Sequence, residues 1–268
     1  MHTKSETALM KNSIPRKTAA AFLMLAFLAN CTQHSEKKEL SNAQVLQLAS
    51  SPHAECNAAA DTTQVQYVIG YGSLMNEKIR QHSAPNAGAV YPVDVKGYRR
   101  GWFARGADIS FSLTFLGVVP DQTSSLNAII YKTDPVALLM TDEVEHFYCR
   151  LPVSPTNVSM LNRGTPLPTG QLWIYVIKPE SVAIPSKRYP IVQSYVDIFL
   201  SGCFEQEEHF KLPKFTQRCI STTTDWSKHW LNDRVHARVP ILYQPKARQI
   251  DKLLHAQLPT YFEKIQLE

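Results

Sequence analysis

The 268-residue sequence lacks a membrane-spanning apolar run. Ala19–Ala29 is apolar throughout but is only about half the roughly 20 residues that a spanning helix needs. Glycine is scarce, 10 residues, and the 17 prolines are scattered, which excludes collagenous and low-complexity architectures. No C-x-x-C pair occurs, so the zinc-ribbon and thioredoxin-type redox classes fall away. No H-E-x-x-H motif occurs either, and the histidines are dispersed, so no metal site is expected. Internal repeats are absent. The net charge of +5 is too small to argue for nucleic acid. Residues 1–30 hold Lys4, Lys11, Arg16, Lys17 and Glu6, and without them the charge falls to +2, so no electrostatic partner is implied.

What is present begins with a targeting signal. Lys11, Arg16 and Lys17 precede the short apolar run, the form of a secretory signal peptide. The run ends in Leu28-Ala29-Asn30-Cys31, which resembles a bacterial lipobox with Cys31 as first mature residue, although Asn30 stands where a small residue is usual. The expectation is export to the periplasm or outer membrane of a Gram-negative bacterium, with membrane contact only through a lipid on Cys31. Four cysteines follow: Cys56, Cys149, Cys203 and Cys219. An oxidising compartment permits disulfides, and four cysteines allow three pairings. Cys203 and Cys219, sixteen residues apart, are the favoured pair.

Beyond a polar tether at 31–63, with a short helix around Ala43–Leu48, lies a strand-rich core at 64–180. Val65–Ile69, Val90–Val95, Trp102–Ala104, Ile109–Val119, Ser125–Tyr131, Tyr148–Val153 and Gln171–Ile177 are rich in β-branched and aromatic residues and read as strands. Asn76–His82 reads as a short helix. Asp134-Pro135 is a helix start, and the spacing predicts a helix over 135–147 that buries Val136, Met140, Val144 and Phe147. A helical C-terminal extension is expected over 181–268, packed on the core. There, Val192, Tyr195, Val196, Phe199, Leu200 and Cys203 share one helix face, with Gly202 near the stop. A second helix carries Trp226 and Trp230, and a last one runs from Pro245 to Leu258.

Two stretches carry chemistry. Gly70-Tyr71-Gly72-Ser73-Leu74-Met75 follows the first strand and leads into a helix, so its backbone N–H groups can converge as a nest for a carboxylate or an oxyanion. The nucleophile elbow needs Gly two residues after the serine, and Met75 stands there, which argues against Ser73 as a nucleophile. In the second stretch, Asp142 and Glu145 are helix neighbours next to a core position. Burial together with a nearby carboxylate would raise the pKa of Glu145 toward that of a general acid–base. A solvated acidic helix face is the alternative.

Three motifs in order resemble the γ-glutamylcyclotransferase-like superfamily. They are Tyr71-Gly72-Ser73-Leu74-Met75, then Gly97-Tyr98-Arg99-Arg100-Gly101-Trp102-Phe103, then Asp142-x-x-Glu145 followed by Tyr148 and Arg150. The likeness runs from Tyr67 to Ile177. The tail segments Tyr189–Asp197, Thr223–Trp226 and Trp230–Arg234 resemble the extension of one branch. The resemblance implies an α+β fold, a small mixed β-barrel with helices plus the helical extension. It implies cyclisation of a γ-glutamyl amine or peptide, glutathione among them, to 5-oxoproline with release of the amine. Glu145 would then be the catalytic base and acid. Tyr71, Gly72, Ser73, Leu74, Met75 and Tyr148 would bind the small-molecule substrate, with no metal or cofactor. Two other readings stay open: a catalytically silent envelope protein that binds a ligand in the same cavity or a partner through its tail, and a hydrolase or ligase built on Ser73 or Cys149.

Overall fold

The computed structural model describes residues 41–50, 55–105, 112–162, 164–239 and 246–268. The expected signal at 1–30, the lipidation site Cys31 and the start of the tether lie outside the described residues.

Ser41 caps the first helix, α1 (Asn42–Ala49), and its hydroxyl accepts from the Gln44 N–H while the Gln44 side chain reciprocates, a capping box. Strand β1 (Gln66–Gly70) is buried along its whole length because it lies between two partners. The tight turn Ser73–Met75 and helix α2 (Glu77–Ser83) follow. Strands β2 (Val90–Ala104) and β3 (Phe115–Thr133) form a long antiparallel ribbon. Each joins two stretches that read as separate strands in the sequence. The apparent break in β2 is a bulge at Gly97, whose φ of +86° suits glycine.

Helix α3 (Pro135–Val144) leads into β4 (Tyr148–Val153), β5 (Val158–Met160) and β6 (Gln171–Ile177). Strand β7 (Ile191–Val192), helices α4 (Gln193–His209) and α5 (Phe215–Ser221), and strands β8 (Thr223–Thr224) and β9 (Trp230–Asn232) come next. Helices α6 (Ala247–Gln257) and α7 (Pro259–Phe262) and strand β10 (Gln266–Leu267) end the chain. The fold class is α+β. The main sheet is mixed, in the order β4-β6-β1-β3-β2-β5, with β8 parallel to β2. Strand β1 runs parallel to β6 and antiparallel to β3.

Helix α3 differs from its sequence pattern. Val136, Met140 and Val144 are 67%, 65% and 74% exposed, Phe147 lies beyond the helix end, and the buried residue is Leu138. The inward face carries Leu138, Thr141, Asp142 and Glu145. Two carboxylates occupy positions that amphipathicity would give to apolar side chains, because Arg150 and a cavity wait on that side.

The C-terminal third holds more than helices. Trp226 lies in the loop after β8 and Trp230 in β9, not on a helix. Their rings stack at 5.1 Å, and Trp226 also packs on Trp102 at 5.2 Å. Cys219 sits within α5. Helix α4 runs past Gly202 to His209 and is buried on its polar side as well. Its Gln193 donates to Asp197, Asp197 is held by Arg234 in a two-pronged pair, and Ser194 donates to Asp233 at 2.6 Å. Gly202 is needed inside the helix because an added Cβ would come within 2.4 Å of the Asn76 nitrogen. The turn after β1 therefore presses directly on α4. Disulfides join Cys203 to Cys219, the expected pair, and Cys56 to Cys149.

Candidate active site

The first glycine turn is built by β1 and closed by α4. The Met75 N–H donates to the Gly72 carbonyl and the Asn76 N–H to the Ser73 carbonyl, which fixes one tight turn of helix. Gly70 permits it: a Cβ there would meet the Leu74 Cβ at 3.1 Å. Arg100, fully buried in β2, donates through Nη1 to the Tyr71 carbonyl at 3.0 Å and to the Asn127 carbonyl at 2.9 Å. Its Nη2 reaches the Cys219 carbonyl and its Nε the Thr223 hydroxyl. Among the described residues no carboxylate pairs with this guanidinium, and burial, with the nearby Arg218 charge, pulls its pKa down to about 9. Arg100 thus ties the glycine turn to the C-terminal third through neutral acceptors.

Glu145 ends α3. Its N–H donates to the Thr141 carbonyl, and its own carbonyl accepts from the Tyr148 N–H at 2.8 Å, so the chain passes at once into β4. The carboxyl lines a cavity of about 220 Å³ together with Tyr71, Gly72, Ser73, Leu74 and Tyr148. The sequence-derived residues therefore share one cavity, with a single exception. Met75 faces the core, fully buried, with its sulfur 3.9 Å from that of Cys203.

Burial raises the pKa of Glu145 to about 7, and burial is the whole cause. The expected help from Asp142 is absent. Asp142 accepts from Arg150 Nε at 2.9 Å and Nη2 at 3.0 Å, and from the Tyr175 hydroxyl at 2.8 Å. Its charge is neutralised away from Glu145. Tyr71 donates to the Tyr175 carbonyl at 2.7 Å and Tyr148 to the Leu116 carbonyl at 2.9 Å, so both phenols are anchored with their rings on the cavity.

Tyr195 was not singled out as a site residue in the sequence. It reads there as part of an apolar helix face, and its hydroxyl was the one signal against that. It reaches the cavity from α4, with its ring edge-on to Phe115 at 5.4 Å and to Trp102 at 5.8 Å. Its hydroxyl oxygen is held by Ser73 and by the backbone N–H groups of Ser73 and Leu116. One donor of the expected anion nest, the Ser73 N–H, is thus directed at a phenol, which places an O–H group at that point in the cavity. Phe147, read in the sequence as a buried helix position, and Arg105, which had no sequence signal, also line the walls.

Among the described residues no cluster of three or more His, Cys, Asp or Glu side chains could hold a metal ion, and no helix is long and apolar enough to cross a membrane.

No protein-family model and no curated protein sequence matches the chain. Solved structures do resemble it. A γ-glutamyl cyclotransferase aligns at 13% identity over 70% of this chain and 99% of its own, with a TM-score of 0.46. An uncharacterised human protein aligns at 14% identity over 61% of this chain and 92% of its own, with a TM-score of 0.45. A yeast γ-glutamyl cyclotransferase specific to glutathione aligns at 12% identity over 59% of this chain and 97% of its own, with a TM-score of 0.38.

Proposed function

We propose that the chain is a γ-glutamylcyclotransferase-like enzyme that converts the γ-glutamyl group of an amide to 5-oxoproline and releases the amine. The observation that carries this reading is Glu145: a carboxyl with a pKa near 7, on the wall of a cavity that also holds the glycine turn. A pKa near the working pH suits one group for two proton transfers.

The substrate's own α-amine is the nucleophile. As its nitrogen attacks the γ-carbonyl carbon, Glu145 takes the amine proton and a C–N bond forms. The tetrahedral oxygen accepts from the Tyr195 hydroxyl, which supports it in a largely apolar site. The amide C–N bond then breaks, and the protonated Glu145 gives its proton to the departing nitrogen. No enzyme nucleophile is required, and the cavity's main task is to hold the substrate bent toward itself. The two disulfides support the accompanying proposal of export to an oxidising compartment, where a small-molecule γ-glutamyl compound is the partner.

The test is to incubate the purified chain with γ-glutamyl amino acids, peptides and amines and to measure 5-oxoproline. Metal-independent release supports the reading. Tight binding of these compounds without 5-oxoproline would establish the silent-binder alternative instead.

A further inference from the structure

Arg100 is fully buried in β2, and its guanidinium meets four parts of the chain at once. Nη1 donates to the Tyr71 carbonyl on the glycine turn at 3.0 Å and to the Asn127 carbonyl of β3 at 2.9 Å. At the end of α5, Nη2 donates to the Cys219 carbonyl at 2.9 Å and to the Thr222 hydroxyl at 2.8 Å, and Nε donates to the Thr223 hydroxyl at 2.8 Å. On α4, the Phe199 ring centre lies 4.9 Å from the guanidinium carbon. The five donors of a guanidinium lie in one rigid plane, so acceptors on this many segments fix a single arrangement of them.

Two of these contacts bracket Tyr195. Phe199 stands one helical turn after it on α4. Tyr71 precedes Gly72, and a Cβ on Gly72 would lie 3.4 Å from the Tyr195 hydroxyl oxygen, so the turn backbone and that hydroxyl are neighbours on the cavity wall. Arg100 therefore holds the backbone on one side of the phenol and the helix on the other. None of its hydrogen bonds reaches α3 or Glu145.

We propose that Arg100 is a positioning residue for the reaction, and that it sets where the Tyr195 hydroxyl stands relative to the glycine turn. This rests on the cyclotransferase reading, in which the Tyr195 hydroxyl donates to the tetrahedral oxygen. A misplacement of about 1 Å in a group that acts on the transition state costs about 10²-fold, even when its cause is remote. The tetrahedral oxygen exists only during the reaction, so the cost falls on kcat rather than on substrate affinity. A buried cation facing neutral acceptors is an expensive way to join segments. Its rigid fork does what no neutral side chain can, which is to fix the turn, β3, α4 and α5 together.

The experiment measures 5-oxoproline release from glutathione and from γ-glutamylalanine by the wild type, Arg100→Lys, Tyr195→Phe and the double variant, each shown by its unfolding curve to be folded at the assay temperature. Tyr195→Phe should lower kcat by about 10²–10³-fold, the range for loss of one donor to a tetrahedral oxygen. Arg100→Lys keeps the charge without the planar fork, and should lower kcat by about 10²-fold with KM nearly unchanged. In the Tyr195→Phe background the same substitution should cost almost nothing more, because the group it positions is gone. The same kcat loss in both backgrounds, or a KM that rises as kcat falls, overturns the assignment and leaves Arg100 a structural residue. The pH limb assigned to Glu145 should stay in place in Arg100→Lys, and a shifted limb also overturns it by routing the effect through Glu145. If Arg100→Lys does not fold, Phe199→Leu decides. It removes the ring beside the guanidinium and keeps the hydrogen bonds, and its kcat loss should likewise vanish in the Tyr195→Phe background; no loss, or an equal loss in both backgrounds, overturns the proposal. Without wild-type turnover the cyclotransferase reading and this inference fail together, whereas wild-type turnover with additive losses removes this inference alone.

Discussion

Arg150 grips Asp142 with two parallel hydrogen bonds, Nε to Oδ1 at 2.9 Å and Nη2 to Oδ2 at 3.0 Å. The guanidinium is 1% exposed and lies 4.3 Å over the Trp173 ring, so the pair ties the inward face of α3 to β4. Asp142→Asn keeps the shape and leaves a buried cation without its partner. The expected loss is about 3–5 kcal/mol of stability, read from urea unfolding. Because burial alone shifts Glu145, the pH limb assigned to Glu145 should stay in place in any folded fraction. A shifted limb with unchanged stability would return Asp142 to the role of a like charge acting on Glu145.

Glu145 should cost the fold stability at alkaline pH. Its folded pKa, about 7, lies above its ordinary value of 4.5, so the native state holds the proton more tightly than the unfolded chain. Its contribution is complete below about pH 4.5 and is lost as the pH rises through 7, a difference of roughly 3 kcal/mol. Glu145→Gln removes the ionisation. The variant should therefore match or exceed the wild type in stability at pH 8, and the advantage should disappear at pH 4. Unfolding curves of both proteins across this range test it, and parallel curves would show that the carboxyl is solvated.

The two disulfides should differ in weight. Cys56–Cys149 closes 93 residues of chain and Cys203–Cys219 closes 16. Chain entropy assigns roughly 4–5 kcal/mol to the first and about 3 kcal/mol to the second. Paired Cys→Ser variants, compared by Tm without reductant, should keep that order. The Cys203/Cys219 variant should also lose activity beyond its loss of stability, since α4 carries both Cys203 and Tyr195.

Gly202→Ala should damage the site from outside it. The new methyl would meet the backbone of Met75 and Asn76 at 2.4–2.9 Å, and backbone cannot swing aside as a side-chain tip can. Overpacking of this kind costs about 1–3 kcal/mol. The strain falls on the turn that carries Ser73 and Leu74, so kcat should fall as Tm falls. Ala at the open Gly164 position makes a poor control because its φ is +80°, whereas Gly88→Ala meets only the Lys132 Cβ at 3.7 Å and should leave both quantities unchanged.

Strands were legible where most of their residues are buried. Val65–Ile69, Tyr148–Val153 and Gln171–Ile177 coincide with β1, β4 and β6 to within a residue, because their β-branched and aromatic residues are dense enough to mark a strand despite Gln66, Arg150 and Gln171. The glycine turn and Glu145 were legible as a motif. Helix α3 misled because its carboxylates Asp142 and Glu145 face inward while Val136, Met140 and Val144 face out, so periodicity pointed to the wrong side. Tyr195 and Arg105 were invisible for another reason. Each reaches the cavity through long-range packing, from α4 and from the end of β2, and apart from the Tyr195 hydroxyl nothing in the local pattern distinguishes a core tyrosine or a surface arginine from them. The burial of the polar side of α4 had no local signal, because its partners, Asp233 and Arg234, lie almost 40 residues further on.

The most direct measurement is 5-oxoproline release from γ-glutamyl substrates by the wild-type chain and by Glu145→Gln, with binding of the same compounds followed by calorimetry. Wild-type turnover is expected, with a loss of about 10²–10⁴-fold in kcat and nearly unchanged affinity in the variant, the range for removal of a general acid–base. A variant that keeps more than about a tenth of wild-type turnover would contradict the assignment of both proton transfers to Glu145.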